Sequence, residues 1–157
     1  MAAGTDASIL VCDDALGFRT MLAAFLKDAG HAVAICATWD EAVVCAAEHR
    51  PAAILVDLWM PTFQPELLRR VHEVSPESAI VVVSAFPVDV SERSVAGIAG
   101  ITAVVSKRDR PDVIVEAVTD AVSGARGACG PALPVCPPPV RSAEGSASGR
   151  SPWPART

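Results

Sequence analysis

The stretch Ala53-Ile54-Leu55-Val56-Asp57-Leu58-Trp59-Met60-Pro61 constrains the fold more than any other: a continuous apolar run meets a single carboxylate, and a proline follows four residues later. An apolar run without alternation has both faces covered, as in a parallel strand sandwiched between helices. Asp57 stands where that strand leaves the core.

The remaining chain repeats this pattern. Ser8-Ile9-Leu10-Val11-Cys12 stops at Asp13-Asp14, and Phe18, Met21, Leu22, Phe25 and Leu26 follow at helical spacing. Gly30 is placed to end that helix in a left-handed conformation, and 31–36 reads as a second strand. Thr38 and Glu41 have the spacing of a capping box for a second helix, closed by Pro51. After the opening strand, Pro65 starts a helix with Leu67, Leu68, Val71 and Val74 facing inward. Strand 79–84 ends at Ser84, a fourth helix is placed at roughly 90–98, strand 102–106 ends before Lys107, and Pro111 opens a last helix. Five strand–helix units joined by short connections predict an α/β, doubly wound (flavodoxin-like) five-stranded parallel sheet with helices on both faces. Such a sheet carries its site at the carboxyl ends of its strands.

Composition bounds the function. Residues 1–123 hold nine Lys/Arg against 17 Asp/Glu, net −8, whereas 124–157 hold four Arg against one Glu, net +3. An acidic body lacks the clustered basic face that phosphate-backbone binding requires, so direct nucleic-acid binding is not expected. The 124–157 segment holds seven of the 13 prolines and five of the 10 glycines with little apolar periodicity, which predicts a disordered tail and no DNA-reading second domain. Residues 1–7 are expected to be a flexible N-terminus with no leader pattern, and no run is long enough to span a bilayer. Five cysteines (12, 36, 45, 129 and 136) without a Cys-x-x-Cys pair predict free buried thiols, which together point to the cytoplasm. His31, His49 and His72 lack metal-ligand spacing and are expected in water.

The strand ends collect Asp13, Asp14, Asp57, Ser84 and Lys107 at one edge. Carboxylates ~4 Å apart repel by about 4 kcal/mol per pair at an effective dielectric near 20, so the cluster calls for a cation. Hard oxygen donors suit Mg²⁺. With a lysine and a hydroxyl to neutralise a transferring group, this is a phosphoryl site with Asp57 as nucleophile, and its product, an aspartyl phosphate, can act as a switch. Singly each residue has an ordinary explanation as a helix cap, turn, strand end or surface charge; jointly they require four coincidences at one edge.

In order and spacing, Asp13-Asp14, Asp57 with Met60-Pro61, Ser84-Ala85 and Ser106-Lys107 resemble the receiver domain of two-component response regulators over roughly residues 8–123, with a Ser-Lys ending most like receivers of the NarL type. The resemblance implies strand order 2-1-3-4-5 and phosphorylation of Asp57 by a sensor histidine kinase. It implies Mg²⁺ held by Asp14, Asp57 and the Trp59 backbone carbonyl, with Asp13 acting through water, and Ser84 and Lys107 on the phosphoryl group. It implies a phosphoacceptor signalling domain rather than an enzyme, acting through a downstream protein partner or a homodimer, away from membranes.

Four positions stand out against the family pattern. Val104 replaces the aromatic three residues before the lysine that usually relays the signal, and Pro65 stands where a glycine is common. Trp59 and Phe86, both bulky, border the phosphoryl position and are expected to shield an acyl phosphate from water. Val88, Val90, Val95, Ile98, Val104 and Val113 are either ordinary core or a partner surface. Two rival functions are a receiver kept as a phosphorylation-independent scaffold, which Val104 favours, and a haloacid dehalogenase-type hydrolase. The hydrolase wants a second acid two residues after its nucleophile, where this chain has Trp59.

Overall fold

The computed structural model describes residues 8–129, in which five strands alternate with five helices. The strands are β1 (Ser8–Cys12), β2 (Ala32–Cys36), β3 (Ala53–Asp57), β4 (Ala79–Ser84) and β5 (Ile101–Ser106). The helices are α1 (Leu16–Asp28), α2 (Trp39–His49), α3 (Pro65–Val74), α4 (Val88–Ser94) and α5 (Pro111–Cys129). The sheet is parallel, as the strand–helix alternation predicts, in the order β2-β1-β3-β4-β5 that the resemblance implies. Strand order reverses between β1 and β3, which opens a crevice at the ends that carry Asp13 and Asp57.

Alternate strand residues feed two cores. Leu10, Ile54, Val56, Ile80 and Val82 pack with Trp39, Ala42, Cys45 and Ala46 of α2 and with Leu68 and Val71 of α3. Ile9, Val11, Leu55, Val81 and Val83 pack with Leu22 and Leu26 of α1 and with Ile114 and Val118 of α5. Strands buried on both faces explain why the sequence shows runs rather than alternation.

The helix ends follow local chemistry. Gly30 takes φ 94 while His31 N–H reaches back to the Leu26 carbonyl at 3.1 Å, closing α1. Thr38 Oγ1 accepts from Glu41 N–H at 3.2 Å, and Glu41 returns a carboxylate oxygen to Ala37 N–H at 2.9 Å, one residue before the usual target. In β5, Thr102 is the extra residue of a bulge, and its hydroxyl donates to the Ile80 carbonyl at 3.1 Å.

Three expectations need correction. α4 starts at Val88, behind Pro87, and stops at Ser94 rather than covering 90–98. Ser91, Val95 and Ile98 are all buried, but the segment after Ser94 is built as tight turns around Gly97 at φ 79. Helix α5 runs to Cys129, six residues past Ser123, and 130–157 lie outside the described residues. His31 is not in water: it is 5% exposed and contacts Thr119 Oγ1 of α5 at 3.3 Å, because the turn into β2 tucks it beneath that helix. The His49 side chain is likewise largely covered, and burial lowers its pKa below the ordinary value.

Candidate functional site

Each strand end delivers its residue for a local reason. Asp13 extends the β1–β2 ladder by one step, its N–H donating to the Cys36 carbonyl at 3.1 Å, and its Oδ1 accepts from Ala15 N–H at 2.8 Å at the start of α1. Asp57 closes β3 opposite Val83, and Ser84 follows at the end of β4. The Ser84 carbonyl accepts from Lys107 N–H at 2.8 Å, which fixes the backbone from which the lysine side chain reaches across the edge. The turn after it is held by Asp109, whose Oδ2 accepts from Ser106 N–H at 3.1 Å.

The lysine meets the acids directly. Lys107 Nζ lies 2.5 Å from Asp13 Oδ2 and 2.9 Å from Asp57 Oδ2. Asp57 Oδ1 accepts from Trp59 N–H at 3.0 Å, so the loop after β3 folds back over its own carboxylate. Asp13 and Asp57 are buried, and Asp14 is exposed. Oxygens of Asp13, Asp14 and Asp57 lie within 4.8 Å of one another. Ser84 is fully buried, and its Oγ accepts from Phe86 N–H at 3.1 Å, which holds the hydroxyl in the β4–α4 turn.

Charge follows from this geometry. Three carboxylates stand at this edge beside one ammonium that pairs with two of them, leaving an excess of −2 when all are ionised. Burial raises the Asp13 pKa, and the Lys107 hydrogen bond and the Ala15 N–H offset it only in part. Burial alone would lower the Lys107 pKa, but its hydrogen bonds to Asp13 and Asp57 outweigh it and the pKa is raised. The two shifts are compatible because the lysine has two acid partners, whereas the acids divide one base.

Two residues joined the site without being anticipated. Phe18 places its ring 4.7 Å from Lys107 Nζ, and Arg19 Nη1 donates to the backbone carbonyls of Asp13 and Asp14 at 3.0 and 3.4 Å. Both stand on the first turn of α1, a few residues after the acidic pair, and Phe18 had been read only as helix core.

The donor set fits a hard divalent cation: oxygens alone, from groups within reach of one ion, with negative charge in excess. Beside it, the Trp59 and Phe86 rings meet at a tilt of 46° with centroids 4.5 Å apart and remain 44% and 47% exposed. The loop between β3 and α3 turns at Thr62, which takes φ 66, and Pro65 then occupies the first position of α3 behind Gln64. That is the alternative path that a proline at position 65 demands.

The chain is similar to known proteins in sequence and in fold. Residues 9–119 match the family model described as the response regulator receiver domain. A response regulator receiver protein of Anaeromyxobacter sp. (strain Fw109-5) is 35% identical over 81 residues, covering 51% of this chain and 34% of that protein, so the match spans about a third of the relative. Among solved structures, a CheY-like receiver domain from Methanospirillum hungatei JF-1 aligns with a TM-score of 0.71 at 21% identity, over 78% of this chain and 98% of the other. A Burkholderia pseudomallei response regulator, solved with a phosphorylated aspartic acid, calcium ion and citrate, aligns at 0.66 and 23% identity over 78% of this chain and 72% of that one. The five strand ends and this match over most of the folded residues lead to one assignment: the chain belongs to the response regulator receiver domain family.

Proposed function

We propose that this chain is a phosphorelay receiver in which Asp57 accepts a phosphoryl group from the phosphohistidine of a sensor histidine kinase. The observation that carries this reading is the Asp57 carboxylate at the end of β3, held between Lys107 Nζ at 2.9 Å and Trp59 N–H at 3.0 Å beside two further acids. Those two contacts orient the carboxylate for in-line attack on phosphorus. Lys107 then follows charge from the carboxylate to the phosphoryl oxygens, and the Ser84 hydroxyl can exchange its bond with Phe86 N–H for one to the same group.

Asp14, Asp57 and the Trp59 carbonyl would hold Mg²⁺, with Asp13 acting through water. The ion supplies positive charge against the phosphoryl oxygens. The output is a change of protein contacts, in the cytoplasm, through a downstream partner or a second copy. Val90 and Val113, the exposed members of the apolar set near α4 and α5, are candidates for that face. Among the described residues no helix is long and apolar enough to cross a membrane.

The test is mass spectrometry of the intact protein after incubation with a small acyl-phosphate donor and Mg²⁺. One phosphoryl group, absent in Asp57→Asn, is the expected result; no adduct on the unaltered chain refutes the reading. A second reading, a phosphorylation-independent scaffold, is favoured by Val104, a partly buried valine packed against the core where the family relay uses an aromatic. It predicts partner binding that is unchanged in Asp57→Asn.

A further inference from the structure

A lysine ammonium carries three N–H donors on a flexible stem, and at the strand ends the acids take only two of those of Lys107. Its Nζ lies 2.5 Å from Asp13 Oδ2 and 2.9 Å from Asp57 Oδ2. Among the described residues no other oxygen takes the third. The ammonium sits over the Phe18 ring instead, 4.7 Å from the ring centroid. The lysine side chain is 16% exposed, so water screens the attraction between cation and ring less here than at an open surface.

The ring is anchored on both sides of the contact. Phe18 stands in the first turn of α1 and packs against the core that α1 and α5 cover. The next residue, Arg19, ties that turn to the acidic loop through the Asp13 and Asp14 carbonyls at 3.0 and 3.4 Å. Ring and acids therefore keep a fixed relation. A ring face also allows what a third carboxylate would not. It has no oxygen to compete for a divalent cation, and its attraction is spread over the face rather than aimed along one hydrogen bond. An ammonium can shift across it and still be held. An aliphatic side chain in this place would fill the same space and attract no charge.

We propose that Phe18 is a positioning residue for phosphoryl transfer: its ring face keeps the Lys107 ammonium at the edge while that ammonium passes from the Asp57 carboxylate to the phosphoryl oxygens. This role rests on Asp57 being the acceptor. In the transfer an Asp57 oxygen bonds to phosphorus, the bond from phosphorus to the donor's leaving atom breaks, and the leaving group departs with that electron pair. Lys107 keeps its protons throughout. The carboxylate gives up its charge in this step, which weakens its hold on Lys107, and the ring and Asp13 then retain the ammonium.

The test uses the full chain with Phe18 replaced site-specifically by mono-, di- and trifluorophenylalanine, which drain charge from the ring face while keeping its shape, and with Phe18→Leu beside them. The rate of Asp57 phosphorylation by acetyl phosphate and Mg²⁺ is followed by intact mass. It should fall in steps along the fluorinated series, by about threefold to tenfold in all, and Phe18→Leu should be at least as slow as the last member. The contact itself is read by NMR with isotopically labelled lysine, because the chain has two lysines and exposed Lys27 serves as the reference. The ε-methylene protons of Lys107 should be shifted upfield by the ring, and the shift should vanish in Phe18→Leu. Equal rates across the fluorinated series, a slowing confined to Phe18→Leu, or no upfield shift in the unaltered chain would each overturn the proposal, because packing responds to shape and not to ring charge. The fluorinated series decides the matter even if Phe18→Leu fails to fold. No adduct on the unaltered chain refutes Asp57 as acceptor and this role with it, whereas an adduct that forms equally fast throughout the series refutes the role of the ring alone.

Discussion

Three carboxylates crowd the strand ends and the one ammonium there pairs with two of them, and that imbalance governs what single substitutions do. The Asp13 pKa is raised above 3.8 by burial, so the native state holds its proton more tightly than the unfolded chain. The associated stability is complete below pH 3.8 and is lost as pH rises through the folded value. At neutral pH and without divalent cations, Asp13→Asn should therefore stabilise the fold, while Asn Oδ1 still accepts from Ala15 N–H. The gain should be about 1 kcal/mol, a water-screened repulsion at ~4 Å, or about 3–6 °C in Tm. A lower Tm in EDTA would refute this. Lys107 carries the opposite limb: its pKa is raised above 10.5, so its stabilisation holds below that pH and disappears as pH climbs through the folded value. Thermal melts from pH 9 to 12 should show this alkaline loss in the unaltered chain and not in Lys107→Gln. Trp59 and Phe86 act on lifetime. Their tilted ring pair is expected to border the phosphoryl position, and Trp59→Asn should speed loss of the acyl phosphate by admitting water. A rate unchanged or slowed removes the shielding role.

At the scale of elements, two left-handed positions with opposite consequences show how backbone and packing compete. Arg50 ends α2 at φ 44 and ψ 63 with its side chain exposed. Glycine adopts that conformation without the Cβ conflict, so Arg50→Gly should stabilise by about 0.5–1 kcal/mol in a urea melt. Gly100 has φ 87 just before β5, and a Cβ there would run into the His72 ring of α3. Gly100→Ala should cost about 2 kcal/mol or more, from backbone strain and collision together. Neither constraint could be read from the sequence, where Arg50 precedes a proline and Gly100 is one of ten glycines. What could be read was written in apolar runs and cap residues. All five strands were, because burial on both faces leaves no polar interruption until the strand ends. α2 was, because Thr38 and Glu41 declare its start. α4 was legible as a helix but not in its bounds, since Ser91, Val95 and Ile98 are buried at helical spacing although hydrogen bonding passes to tight turns after Ser94. His31 was misplaced because its burial depends on α5, 88 residues away in the chain.

For the molecule as a whole, the site is assembled from strand ends and loops distant in sequence, so it exists only when the sheet is formed. The residues at risk of misassignment from sequence were those whose role is a tertiary contact: Phe18 against Lys107 and Arg19 against the acidic backbone. The candidates legible in the sequence are those that end a strand in a polar group, because topology gathers such ends at one edge without further information. This interdependence makes cation binding a stability measurement. A ligand that binds the folded state alone stabilises by RT ln(1 + [L]/Kd), about 2.7 kcal/mol at a concentration 100 times Kd. Neutralising the excess of −2 at the strand ends should make Mg²⁺ such a ligand. Tm should rise with log[Mg²⁺] once the site begins to fill, and rise further when beryllofluoride is added as a phosphoryl mimic. Asp14→Asn removes an exposed carboxylate that no described ion pair uses, so it should leave the cation-free Tm near that of the unaltered chain while flattening the Mg²⁺ response. Asp57→Asn should abolish the beryllofluoride increment. A magnesium response of equal slope in Asp14→Asn and the unaltered chain would place the cation elsewhere, and a beryllofluoride increment that survives Asp57→Asn would remove Asp57 as the acceptor.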